Sequence, residues 1–545
     1  MNKKYIVGGL IFWAGVSGYM GLRILESYTE DAVFAALSAV PAQAAEIRYS
    51  FLSNTLALKG VEYELPDDRI MHKGTIESVE VKGFNRKCVY VKPDMPAYHA
   101  DTLPVVAESV TARGIVDNIH VAQTRVEQKI DEVQIRGWRQ RLGMLLDQHS
   151  QHRGEASFFE ELFRCSLEGF DVGSISTTIL APDAAPVNVT VDSVSLPDGL
   201  RAPRGEEKVA PASVRISGIR FAGHQFFGGL QSLELRDVLL PEPSALAEIS
   251  RLNRESASEV AQFGALRDET IGKVFAVLQK NYENKIPVGR VALQGASFAR
   301  NEYPPNSGGK VAVLSVGVKS LDYALSWADK GALRNTTKLS GLKINVPYTL
   351  PGAKVISRYA PDGLVLNADG ESLTSDTEFS ARSHYELEGL GTLDGDISLT
   401  GDMRTLEQAL LSDEESPEEL DALMQNLRMR SMHLVYKDSG LVPMGVEFVS
   451  AWKFSTPEKL LATSVGMLKM FGETPERPVR ELCRALAEQL SRPGEFSMTI
   501  APEKPMNAAE AFALASANPD ALPVSFSSKP GDRALTDYLR GKDHE

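Results

Sequence analysis

Val214-Arg215-Ile216-Ser217-Gly218-Ile219-Arg220-Phe221 alternates apolar and polar side chains through a central glycine. Alternation sends successive side chains to opposite faces of a pleated strand, so this is a half-buried β-strand. The same cadence recurs in LALKGVEYEL (56–65), VALQGASF (291–298) and KLSGLKINV (338–346). Looser versions run over 75–84, with Gly83, and 393–401, with Gly395. A glycine weakens a strand interior, so its recurrence marks bulges or bends, here at Gly60, Gly218, Gly295 and Gly341. The alternative is a set of hairpin tips. Yet the flanks go on alternating past each glycine, and of these sites only the looser Asp394-Gly395 shows an Asp-Gly or Asn-Gly pair. Long kinked strands are what a sheet needs to roll. The expected fold is therefore α+β and β-rich, an elongated, curved antiparallel sheet (gutter or open barrel) with helical insertions, behind an N-terminal transmembrane helix.

That helix is read from the first residues. After Lys3 and Lys4 no charged residue occurs from Tyr5 to Leu22. At about 1.5 Å per residue the run spans about 27 Å, the thickness of a bilayer core. An uncleaved signal anchor is the main reading, with the inner membrane as its partner through residues 5–22. The alternative is a removed signal peptide, since Ala42-Gln43-Ala44 resembles a cleavage site, although it lies far beyond the apolar run. The lysine pair keeps the N-terminus in the cytoplasm and places all that follows Arg23 outside. In a Gram-negative bacterium this gives a single-pass inner-membrane protein with a C-terminal periplasmic ectodomain.

The expected organisation is a cytoplasmic tip and anchor (1–24), an alanine-rich leading helix (25–46), and a first β-rich segment (47–240) with a helical insertion near 138–165. A long amphipathic helix (241–285), a second β-rich segment (286–402) and an α/β closing module (403–545) follow. Helix starts are written at Ser416-Pro417-Glu418-Glu419 and Thr456-Pro457-Glu458, and Arg492-Pro493-Gly494 is a stop.

The chain has 545 residues and a formal net charge of −14, which argues against a nucleic-acid partner. Its 3 cysteines fit no metal spacing and no disulfide framework. In an oxidising compartment Cys88 and Cys165 could pair and leave Cys483 free; three unpaired buried thiols is the other reading. His149 and His152 lack a third ligand and read as a surface pair, so no metal is expected. Gly389–Gly395 has the wrong spacing for a dinucleotide loop, and no phosphate loop or nucleophile elbow occurs. No catalytic residue and no cofactor is expected.

What remains is the apolar face of the sheet, with Leu56, Leu58, Ile216, Leu293, Leu339 and Ile344 as candidate groove residues. A covered face is only a core; an open one is a groove for acyl chains.

The lysine pair, single span, alanine-rich helix and strand NTLALKGVEYEL (54–65) resemble the opening of AsmA-like and YdgA-like bacterial envelope proteins. MHLVYKDSGLVPMGVEFVSAW (432–452) and RPGEFSMTIAPEKPMNAAEAF (492–512) resemble the closing module of uncharacterised proteobacterial envelope proteins, where a strand with Asp-x-Gly-Leu precedes helices and a final strand. The resemblance implies a β-rich ectodomain held at the inner membrane and, from several AsmA-like proteins, a role in moving phospholipid. The helical insertions depart from a pure AsmA-like array. Two functions follow as expectations: binding or shuttling a lipid or other hydrophobic ligand without catalysis, or holding another envelope protein through sheet edges and helices.

Overall fold

The structure, a computed structural model, describes residues 25–35, 42–67, 70–86, 105–121, 124–139, 166–182, 185–199, 212–239, 286–302, 312–328, 331–347, 352–403, 426–453 and 455–540, with isolated positions between them. The chain divides into two compact units, Met1–His224 with Gln231–Val288, and Gln225–Leu230 with Gly289–Glu545.

In the first unit a leading helix (25–35) precedes β1 (Ala42–Ser50), β2 (Thr55–Asp67), β3 (Ile70–Lys82), β4 (Val105–Val121), β5 (Thr124–Arg139), β6 (Gly169–Leu180), β7 (Val187–Leu196) and β8 (Ala212–Ala222). Each of these strands pairs antiparallel with the next. β9 (Phe226–Val238) follows.

The second unit repeats the meander through β10 (Val288–Glu302), β11 (Ala312–Trp327), β12 (Leu333–Asn345), β13 (Leu364–Thr374), β14 (Glu378–Leu387), β15 (Gly391–Thr400), β16 (Arg428–Asp438), β17 (Glu495–Ile500) and β18 (Val524–Lys529). Its helices are α1 (Ala353–Tyr359), α2 (Leu441–Trp452), α3 (Pro457–Phe471), α4 (Arg477–Ser491), α5 (Ala508–Ala517) and α6 (Leu535–Arg540). The protein is thus β-rich and antiparallel with helical insertions.

Several helix ends follow the capping chemistry of the sequence. Thr456 accepts from the Lys459 N–H at 3.3 Å and Pro457 opens α3. Asn507 and Glu510 form a reciprocal capping box on α5. α4 stops before Arg492-Pro493-Gly494.

The strands hold a regularity that simple alternation misses. Gly60, Gly218, Gly295 and Gly341 lie inside β2, β8, β10 and β12 with φ of +57°, +63°, +62° and +61°. The apolar set changes parity at each. In β2, Leu56 and Leu58 precede Gly60 while Val61 and Tyr63 follow it, and Lys59 and Gly60 are both exposed. The left-handed residue turns the pleat by one position, so one face stays apolar along the strand.

The neighbouring strands turn at the same level. Gly60 faces Glu77, between the pairs Lys59↔Ser78 and Val61↔Ile76. Glu77 faces Gly114, Gly114 faces Asp131, Asp131 faces Ser174, Ser174 faces Asp192 and Asp192 faces Gly218. Left-handed residues, Ser174 at φ 49° among them, thus alternate with carboxylates across the first unit.

The leading helix explains the start of the sheet. Val33 packs with Tyr49, Leu56 and Phe84, with Leu37, Ile47, Phe51, Leu58 and Val81 around them. Glu30 Oε1 accepts from the Tyr49 N–H at 2.7 Å, and Glu26 Oε1 from the Phe51 N–H at 2.9 Å. These carboxylates satisfy donors at and just past the end of β1 that would otherwise be open to another strand. In the second unit Leu461, Leu535 and Leu539 form a core with Val442, Val446, Val465, Leu490 and Tyr538.

Three expectations are corrected. The leading helix does not extend to residue 46: residues 42–50 form β1, because pairing with β2 overrides alanine's helical propensity. The helical insertion placed near 138–165 does not take in Trp138 and Arg139, which belong to β5 and pair with β4, and residues 140–165 lie outside the described residues. Leu56, a candidate groove residue, is 4% exposed and belongs to the core under the leading helix.

The anchor at residues 5–22, Cys88, Cys165, His149, His152, the Ser416 capping box and most of 241–285 lie outside the described residues. Among the described residues no helix is long and apolar enough to cross a membrane.

Candidate functional site

The second unit carries two polar clusters where helices meet. Glu447 on α2, with its side chain 7% exposed, accepts from Arg358 Nη1 at 2.7 Å and from Tyr359 Oη at 2.6 Å, which ties α1 to α2. Burial, and next the carboxylate of Glu447, push the Tyr359 phenol far above its ordinary value. At the end of β16, Asp438 Oδ1 accepts from Tyr436 Oη at 2.5 Å and from the Val442 N–H at 2.8 Å, so Asp438 caps α2. Burial raises the Asp438 carboxyl, and hydrogen bonds from Tyr436 and the backbone oppose that rise. These hydrogen bonds join α1 to α2 and α2 to β16. The clusters are structural.

The cleft of the first unit is different. Six residues from the first row of turns lies a second one: Asn54, Gly83 and Gly137 are left-handed at φ 48°, +63° and +60°. Glu108 on β4 and Glu168 just before β6 lie in the space that a Cβ at Gly83 or Gly137 would fill. Where this row crosses the aromatic cluster under the leading helix, the surface opens into a cleft of about 910 Å³. Tyr49, Phe51, Phe84 and Val105 give it an apolar wall; Asn54, Asn85, Arg86, Glu108, Arg139 and Glu168 give it a polar one.

Strand pairing fixes these groups. Phe84 N–H donates to Asn54 O at 3.3 Å and Asn85 N–H to Val106 O at 2.9 Å. The Asn85 amide Nδ2 donates to Val105 O at 2.8 Å, and Tyr49 Oη donates to Asn54 Oδ1 at 2.8 Å. The Arg86 guanidinium sits 4.6 Å over the Phe51 ring. Arg139 Nη2 lies 3.9 Å from Glu168 Oε1.

Of the candidate groove residues, Leu56 and Leu58 belong to the core beneath this cleft, and Ile216, Leu293, Leu339 and Ile344 are half-buried along their strands. None lines the cleft. Reasoning by alternation missed the cleft because its wall comes from strand ends, Phe51 after β1 and Phe84 after β3. The available signal was spacing: Asn54 with Gly60, Glu77 with Gly83, and Asp131 with Gly137 repeat one interval on three strands. Cys483 is a buried free thiol on α4, and among the described residues no cluster of three or more His, Cys, Asp or Glu could hold a metal ion.

A family model described only as an uncharacterized protein matches residues 384–528, which run from β14 to β18. No curated protein matches the chain. The matched stretch holds the Asp438 cap and lies apart in sequence from the residues of the cleft.

Proposed function

We propose that this chain is a membrane-anchored envelope protein, held at a bacterial inner membrane by residues 5–22, whose periplasmic part shelters a lipid or other hydrophobic ligand and performs no chemistry on it. The observation that carries the proposal is the cleft. Its volume of about 910 Å³ suits an amphiphile, and an aromatic wall facing a few fixed polar groups is the usual composition of a ligand site. The cleft also adjoins the leading helix, the described element nearest in sequence to the anchor. The AsmA-like and YdgA-like resemblance agrees with this reading. Native mass spectrometry of the full chain, exchanged from membranes into amphipol, should find co-purified lipid; repeated preparations without bound lipid would sink the proposal.

One observation favours the role of a factor that holds another envelope protein. Met467, Met470 and Phe471 at the end of α3, and Val479 at the start of α4, are 54%, 61%, 58% and 45% exposed. Such methionine-rich apolar surface suits an adaptable protein partner. Photo-crosslinking in cells from position 470 should recover a discrete protein neighbour on this reading; adducts with lipid alone would count against it.

A further inference from the structure

The geometry points to a zwitterionic amphiphile as the ligand of the first-unit cleft, its acidic group held by Arg86 and its ammonium by Glu108. This rests on the ligand-binding reading above and adds the head group. Charge decides the head group. The cleft holds two cations, Arg86 and Arg139, and two carboxylates, Glu108 and Glu168. Arg139 and Glu168 lie 3.9 Å apart and offset each other. Among the described residues neither Arg86 nor Glu108 forms an ion pair, so one cation and one anion face the cleft without a protein counter-charge. An anionic head drawn to Arg86 would also meet Glu108, in a chain of net charge −14. A head group that carries both signs answers both residues at once.

The two groups are well placed. The Glu108 side chain lies over Gly83, in space that any larger residue there would take, and both residues line the cleft. Arg86 follows Asn85, whose backbone and side chain are both bonded to β4, and its guanidinium carbon sits 4.6 Å from the centre of the Phe51 ring. The same ring therefore orients the cation and begins the apolar wall on which an acyl chain would run.

The test uses the full chain in amphipol, titrated with lauroyl lysophosphatidylethanolamine and with lauroyl lysophosphatidylglycerol. The two share chain and phosphate and differ in the ammonium. The wild type should favour the ethanolamine head by about tenfold, the size of one charge-assisted contact. Arg86→Gln should weaken both ligands alike. Glu108→Gln should weaken the ethanolamine ligand and strengthen the glycerol one, and such opposite movements cannot come from a loss of folding. Binding of both ligands with no preference, or with preference for the glycerol head, overturns the head-group assignment and leaves the ligand-binding reading standing. If neither binds and no co-purified lipid is found, both fall.

Discussion

At the residue scale, small side chains decide which polar groups meet. Gly74 pairs with Tyr63 on one side and Asp117 on the other, and the Tyr63 phenol lies across the glycine to reach Asp117. Burial, then the charge of Asp117 and the hydrogen bond to it, push that phenol up to about 12. Because the folded value is raised, the stability it contributes is complete below the ordinary tyrosine range near pH 10 and is lost as pH rises through about 12. Gly74→Ala would set a Cβ 2.6 Å from the Val116 carbonyl oxygen and against the Tyr63 ring. It should cost about 1–3 kcal/mol in urea unfolding and bring the phenol titration, followed by ultraviolet absorbance, back toward its ordinary range. His384 offers a second titration. Its Nδ1 lies 2.6 Å from Asp394 Oδ1, and that hydrogen bond raises the imidazolium above the usual histidine value. Its stabilising effect is complete below about pH 6.5 and fades as pH rises through the elevated value. By NMR, Asp394→Asn should lower the His384 midpoint; an unchanged midpoint would remove Asp394 as the cause.

At the element scale, the turn row lets strands of 10 to 17 residues keep a single apolar face. Gly114 combines both demands of the row, a φ of +62° and the Glu77 Cβ at 2.8 Å from where its own would stand. Gly114→Ala should destabilise the fold by about 2–4 kcal/mol, part backbone strain and part collision. Measured in a Glu77→Gly background, which removes that Cβ, Gly114→Ala should cost the backbone part alone, so an equal cost in both backgrounds would contradict this division. In the second unit Glu447 fastens α1 to α2 through Arg358 and Tyr359. Glu447→Ala strands a buried phenol and should cost about 2 kcal/mol, reduced from a fully buried pair because Arg358 is half-exposed. Hydrogen exchange should then quicken in α1 more than in α3; equal change in both would show that the contact does not fasten α1.

At the scale of the whole molecule, the proposed anchor governs where the protein resides. The full chain should stay with membranes through alkaline carbonate washing, and removal of residues 1–24 should release it; retention of the shortened chain would move the membrane contact elsewhere. The sequence by itself determined the class of fold, because β alternation and helix caps are local: Val214–Phe221, Thr456-Pro457 and Arg492-Pro493-Gly494 each became the element their chemistry dictates. It also determined the run from Tyr5 to Leu22, a matter of composition alone. Ala42–Ser50 was decided by the partner strand, since alanine favours a helix until a ladder claims its backbone. The level of the turn row was likewise decided by pairing, because only register brings Gly60, Glu77 and Gly114 together from three strands. The cleft belongs wholly to the tertiary structure. Arg86 and Glu108 are separated in the chain and carry no motif, and they share one surface because β3 and β4 pair and Gly83 leaves room between them.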